Sequence, residues 1–280
     1  MIYKLLKIEI FKTFSKWRSY ISFLIFAFFV PLILISAHYS GGLGNSMIPA
    51  AQEHFLFTGN LYNGYFLAYF VLNLLFFHLP FLVTVAAGDL FAGESAEGTY
   101  RFLLVRPISR SSFFISKWLT NLIYTFSLLL FLGGLTLILG LILEGSGDLL
   151  VLSADFGIVV IDEKVAIWKI LGAYSIGALN LLTVSTMALL FSIFVSNAVG
   201  PIIATMGIMI IFYFIELIDI GLFEQIRPFL FTHYMDSWQF FFFDDMAYEG
   251  LIPALLVHLF YISIFTLISY IYFMRKEIHS

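Results

Sequence analysis

Residues 118–143 read WLTNLIYTFSLLLFLGGLTLILGLIL, 26 residues without an Asp, Glu, Lys, Arg or His. A helix crosses the hydrocarbon core of a bilayer in about 20 residues, so this run is long enough to span one. Residues 20–37, 65–87, 170–195, 199–216 and 251–273 are apolar runs of comparable length. Six spans predict an all-α integral membrane protein built as one transmembrane domain over residues 1–280. The composition agrees: 61% of the chain is hydrophobic and 11% charged, with a mean hydropathy of +0.99. A soluble domain has roughly 45–50% apolar and about 25% charged residues.

Almost nothing ionisable lies between the ends of the six runs. His78 and His258 are the exceptions, while Asp89 and Glu216 fall at the edges. A charge at the centre of a span costs about 2.5–3.5 kcal/mol on insertion scales, which explains the depletion. It also bears on function. Ion-coupled secondary transporters, the least favoured reading, need titratable groups near mid-membrane. A lone span histidine more often satisfies a hydrogen bond between helices than relays protons. No catalytic site or metal site is expected, and the chain reads as a non-enzyme. There is no cysteine, which excludes disulfides and thiolate sites. No H-E-x-x-H spacing occurs, since Glu53-His54 is merely adjacent, and Gly88-Asp89 has no second buried aspartate to complete a dyad.

Orientation follows from the basic residues, which accumulate on the cytosolic side. Lys4, Lys7, Lys12, Lys16 and Arg18 precede the first span. Arg101, Arg106, Arg110 and Lys117 follow the second, and Arg275 and Lys276 follow the sixth. Eleven of the 14 Lys and Arg therefore share one side. The other side carries Asp148, Asp155, Asp162, Glu163, Asp244 and Asp245. Both termini are expected in the cytosol of a multi-pass protein of a prokaryotic plasma (inner) membrane. The lysines before Tyr20 lead into an apolar run without a small-residue cleavage site, so it reads as a retained first span.

Residues 1–19 form a distinct element. At 100° per residue, Ile2, Tyr3, Leu6, Ile10, Phe14 and Trp17 fall on one arc and the cations on the rest. That pattern predicts an interfacial helix lying flat in the headgroup region. Among the external connections, residues 149–152 and 158–161 read as a hairpin around Ala154-Asp155-Phe156-Gly157. The last connection, with Pro228 and the aromatic run 238–243, is expected to hold short helices dipping back into the outer leaflet. Small residues fall on single faces of three spans (Gly133, Gly134 and Gly140; Ala173 and Gly177; Gly200 and Gly207), which suits either a homodimer seam or internal packing.

The cytosolic loop at residues 88–117 reads GDLFAGESAEGTYRFLLVRPISRSSFFISK. Glu94 and Glu97 precede Gly98-Thr99, and Thr99 can cap a short helix over residues 100–105. Pro107 stops it, and Ser109 or Ser111 can cap the next. The short helix would carry Arg101, Phe102, Leu103 and Leu104, with Arg106 behind, as a mixed-charge knob suited to docking a soluble partner. The order Glu94, Glu97-Gly98-Thr99, Leu103-Leu104, Pro107-Ile108-Ser109-Arg110 and Lys117, within a layout of one interfacial helix and six spans, resembles permease subunits of ATP-binding-cassette transporters of the type-2 exporter family. Tyr100 stands where such proteins often have leucine, and Ser116 where glycine is common.

The resemblance implies a coupling helix over this loop, with Glu94, Glu97, Gly98, Thr99, Arg101, Phe102, Leu103 and Arg106 contacting a separate ATPase. Tyr3, Leu6, Ile10, Phe14 and Trp17 would be the membrane side of the interfacial helix. It implies a second copy of the chain and two ATP-binding-cassette ATPase subunits, ATP and Mg being bound by those partners. The chain has no G-x-x-x-x-G-K-[ST] phosphate loop and no cofactor site of its own, and nothing suggests nucleic acid. Phenylalanines on the first, second or fifth spans would line a path for an apolar or amphipathic substrate. The alternative is a protein that transmits ATPase work to an extracytoplasmic partner without transport. Because the chain lacks cysteine, its topology is directly testable. In intact cells a membrane-impermeant maleimide should label Ser146→Cys and leave Ser111→Cys unlabelled until the membrane is opened; the reverse pattern would invert the orientation.

Overall fold

The computed structural model describes residues 2–40, 62–98, 109–153, 157–243 and 247–276. Helix α1 (Ile2–Ser15) bends at Lys16 into α2 (Trp17–Ser40). Next come α3 (Gly64–Phe76), α4 (Leu79–Ala96) and α5 (Arg110–Glu144). A two-stranded antiparallel hairpin, β1 (Leu149–Ser153) and β2 (Gly157–Ile161), pairs Leu149 with Ile161 and Ser153 with Gly157. Then follow α6 (Glu163–Phe194), α7 (Val199–Leu217), the short α8 (Gly221–Ile226), two 3-10 segments (Arg227–Phe229 and Phe231–Phe242) and α9 (Ala247–Arg275). Six of these helices, α2, α4, α5, α6, α7 and α9, are long and apolar enough to cross a membrane. By that measure the chain is a multi-pass membrane protein. The hairpin expected between the third and fourth spans is present, as are short helical segments before the sixth.

The second span differs from a single helix over 65–87. It breaks at Phe77 and His78, which form a turn between α3 and α4. Pro80 accounts for the break, because it has no N–H to offer Phe76 and its ring crowds that carbonyl. At the far end of α3, Asn63 caps the helix, its Oδ1 accepting from Tyr65 N at 3.0 Å and Phe66 N at 3.1 Å. Its Nδ2 donates to Asp148 O at 2.7 Å, so one side chain joins the start of α3 to the start of the hairpin.

Helix α6 is central and buried on nearly all sides, whereas α2, α7 and α9 turn most of their surface outward. Small polar side chains hold the interior together, as expected where apolar surface gives little drive for helices to associate. Asn121 Nδ2 on α5 donates to Ser185 Oγ on α6 at 3.0 Å. The second 3-10 segment folds back into the bundle, with Phe231, Trp238 and Phe242 buried. Asn180 Nδ2 on α6 donates to Met235 O at 2.7 Å. His258 on α9 is fully buried, its Nδ1 2.9 Å from Thr183 Oγ1 and its Nε2 3.3 Å from Tyr234 O. It is a satisfied hydrogen-bonder between helices. His78 is exposed at the α3–α4 turn.

The small residues pack internally where they are contacted at all. A Cβ on Gly133 would meet the Tyr174 ring at 2.7 Å, and one on Gly64 would meet Leu141 N at 2.5 Å. Gly140 faces Gly64 in return, and Gly64 N donates to Gly145 O at 2.8 Å. The start of α3 and the end of α5 therefore touch backbone to backbone. Gly207 faces open space. Gly64→Ala should lower thermal stability in detergent, the overpacking costing about 1–3 kcal/mol, while Gly207→Ala should not. Equal midpoints for the two variants would show that the α3–α5 contact is not close.

Candidate functional site

The basic end of the bundle, where α1, the end of α4, the start of α5 and the end of α9 meet, holds the densest chemistry. The face that α1 turns inward is Leu5, Glu9 and Thr13, all buried. A carboxylate on that face needs a buried cation, and Lys117 on α5 provides it. Its ammonium lies 2.8 Å from Glu9 Oε2 and 2.9 Å from Glu94 Oε2 on α4, and it donates to Leu90 O at 2.7 Å. The rings of Phe91 and Phe113 flank it at 5.4 and 5.0 Å, a favourable cation–π setting. Lys117 is 1% exposed, Glu9 2% and Glu94 4%. Lys12 completes the group, reaching Glu94 Oε1 at 2.9 Å and Glu9 Oε1 at 3.3 Å. Two carboxylates thus meet two ammonium groups, and the buried charge is balanced.

A second cluster continues the first toward α2. Asp89 on α4 receives Lys16 Nζ at 2.6 Å and Arg18 Nη1 at 3.1 Å. Gly93 makes room for it, since any side chain there would run into the Asp89 carboxylate. Glu97 is mostly exposed and lies 3.9 Å from Lys16. Burial by itself would pull the Lys12 ammonium below its ordinary value of 10.5, but Glu94 and Glu9 outweigh burial and hold it above. A raised lysine contributes fully below its unfolded pKa and is lost only as pH rises past its folded one, so this tie persists through neutral pH. A cavity of about 280 Å³ opens among Glu9, Lys12, Lys16, Asp89, Glu94 and Lys117.

The residues singled out in the sequence distribute unevenly around this centre. Glu94 lies inside it, Glu97 at its rim, and Gly98 ends the turn after α4 with φ of +66°, a conformation that favours glycine. Thr99, Arg101, Phe102, Leu103 and Arg106 lie outside the described residues, as does the helix expected over 100–105. On α1, Leu6, Ile10 and Phe14 are half-buried, and Phe14 packs at 5.8 Å on Tyr124 and 6.2 Å on Phe23. Tyr3 and Trp17 are exposed. The apolar arc is therefore about a quarter-turn from the face that grips the bundle, at 100° per residue. Residues 16–19 also belong to the bend and the start of α2, so the first helix is shorter than 1–19. No motif or periodicity singles out the residues of the grip, Glu9, Lys12, Asp89 and Lys117, as a set. The one local signal is Glu9, the sole acid among the lysines of α1.

A separate apolar groove of about 680 Å³ runs between α2, the α3–α4 turn and α7, with Phe26, Phe29, Phe81, Met206, Ile210 and Tyr213 among its walls. These are the first, second and fifth spans. Among the described residues no group of three or more His, Asp or Glu is placed to hold a metal.

Residues 46–279 match the model of a family described as protein of unknown function (DUF2705). The chain belongs to this family. It is also 32% identical over 122 residues to the uncharacterized protein YhcI of Bacillus subtilis (strain 168), a match that covers 42% of this chain and 38% of the relative. Neither description states an activity, so the buried charges must be tested by themselves. Lys117→Met leaves Glu9 and Glu94 short of a cation and should destabilise the protein by about 3–5 kcal/mol. Adding Glu94→Gln should recover part of that loss, and Lys4→Met, on the exposed face of α1, should cost nothing measurable. Additive effects of Lys117→Met and Glu94→Gln would show the two to be uncoupled.

Proposed function

We propose that this DUF2705 chain is the membrane-spanning subunit of an ATP-driven exporter, working as a homodimer with two separate ATP-binding-cassette ATPases on its basic, cytosolic side. The observation that carries the reading is the buried cluster of Glu9, Lys12, Glu94 and Lys117. It ties α1 to the ends of α4 and α5, the two helices that flank residues 97–109. A partner seated on that loop pulls on α4 and α5 together, because Lys117 and Glu94 are paired across them. The same displacement reaches α1 through Glu9, and α2 through Asp89, Lys16 and Arg18.

The sequence likeness of residues 88–117 to type-2 exporter permeases supports the same reading. So does the scarcity of ionisable groups deep in the spans, which leaves the chain without an ion gradient to draw on. ATP and Mg would be bound by the partner. The groove between α2, α4 and α7 offers an apolar surface for an apolar or amphipathic cargo, and the outward faces of α2 and α7 offer a seam for the second copy. Cargo would move from the cytosolic to the external side of a plasma membrane.

The decisive experiment is copurification with the ATP-binding-cassette subunit of the same organism, followed by reconstitution. Replacing residues 98–105 with a Gly/Ser linker should abolish either the complex or the stimulation of its ATPase. A stable complex with normal turnover would refute the coupling assignment. ATP turnover by the wild-type complex without flux of any lipid or amphiphile tested would favour the alternative, work delivered to an extracytoplasmic partner.

A further inference from the structure

The break in the second span opens onto the groove between α2 and α7, where Leu74, Leu75, Phe77, His78, Pro80 and Phe81 form one wall. His78 precedes Asp89 of the charge cluster by eleven residues, about 16 Å along α4 at 1.5 Å per residue. Gly64, at the other end of α3, is about 20 Å away by the same measure. The break therefore falls near the middle of a hydrocarbon core about 30 Å thick. Non-helical backbone at that depth is tolerated only where protein buries it or where it lines a cavity that holds polar partners. Toward the groove this break is not covered, since Phe77 is 74% exposed and His78 is exposed beside it.

Two polar tips stand at this place. The His78 imidazole makes no capping bond to α4, and among the described residues it has no hydrogen-bond partner. The same holds for Tyr213 Oη on α7. The Phe77 ring brings them together, 5.8 Å from that of His78 and 6.3 Å from that of Tyr213. Both residues line the groove themselves. The rest of the wall is apolar, including Phe26, Phe29, Met206 and Met209, and no Asp, Glu, Lys or Arg belongs to it.

We propose that this groove binds an uncharged amphiphile, apolar along its length and carrying a hydroxyl, carbonyl or amide that pairs with His78 and Tyr213. The alternatives fit less well. A plain acyl chain offers nothing to either polar tip. A charged group would lie at mid-depth with no counter-ion in the wall. A second copy in lipid packs through small residues, whereas these walls are phenylalanine and methionine, and methionine adapts to irregular shapes. The volume, about 680 Å³, is that of a small-molecule site, about 300–1,000 Å³. Interrupted spans at the midplane form the ligand sites of many transporters. Identifying this ligand as the cargo rests on the exporter reading, whereas its binding does not.

The test is binding to the purified chain without any ATPase, read by native mass spectrometry. Monopalmitin is the probe, with palmitoyl lysophosphatidic acid and hexadecylamine as its anionic and cationic counterparts. Monopalmitin should bind most tightly. Tyr213→Phe and His78→Phe should each weaken it on the order of fivefold while leaving thermal stability unchanged. Ile210→Trp, which fills the groove from an exposed position, should expel it. No binding of monopalmitin, tighter binding of either charged probe, or unchanged affinity in both polar variants would overturn the site. So would a dimer that Tyr213→Phe dissociates, which would make the groove a subunit seam. Binding to the chain without any change in the ATP turnover of the reconstituted complex would keep the site and refute its role as the cargo path.

Discussion

The ammonium of Lys117 sits between two carboxylates that belong to different helices, inside a bundle whose interior is otherwise mostly apolar or small and polar. Each ion buried this way forfeits several kcal/mol of hydration, and the loss is offset only where all partners arrive together. Glu9 comes from α1, Glu94 from α4 and Lys117 from α5, so the arrangement requires α1 to be docked and α4 and α5 to be side by side. Hydrophobic contact alone leaves such positions loosely specified, because one apolar surface substitutes readily for another in lipid. The charge cluster specifies a register. It also determines what else the basic end can do, since α1 and both flanks of residues 97–109 are joined through it.

The other end of the bundle is built on a different principle. There, α3 and α5 approach through Gly64 and Gly140, Asn63 joins the start of α3 to Asp148, and the second 3-10 segment inserts Trp238 and Phe242 beside α3 and α6. Trp238 lies 5.4 Å from the Phe76 ring and 6.1 Å from that of Tyr69. Backbone contact and aromatic packing do there what ion pairs do at the basic end. Between the two, α6 is enclosed, while α2, α7 and α9 present apolar faces outward. The protein is thus tied at both ends around α6, with its outer helices presenting apolar surface to their surroundings.

Some of this is legible in the order of residues alone. The six apolar runs, the hairpin at residues 149–161 and the irregular aromatic stretch before the sixth span follow from length, β-branched content and proline placement, all local properties. Glu94 stands out through its neighbours in the loop. Lys117 is visible only as the end of a basic loop and Glu9 only as a lone acid, because a partner 108 residues along the chain leaves no trace in periodicity. The apolar arc of α1 is visible at 100° per residue, yet it cannot say which adjacent face grips the bundle.

The sequence by itself determined that this protein lives in a membrane, how many times it is able to cross, and which side is basic, because hydropathy and charge act residue by residue. Only the tertiary structure decided that Pro80 divides the second span, that small residues on α3, α5 and α6 are spent on internal contacts, and that Glu9, Glu94 and Lys117 converge. Those outcomes depend on distances between helices, and such distances are set by packing rather than by composition.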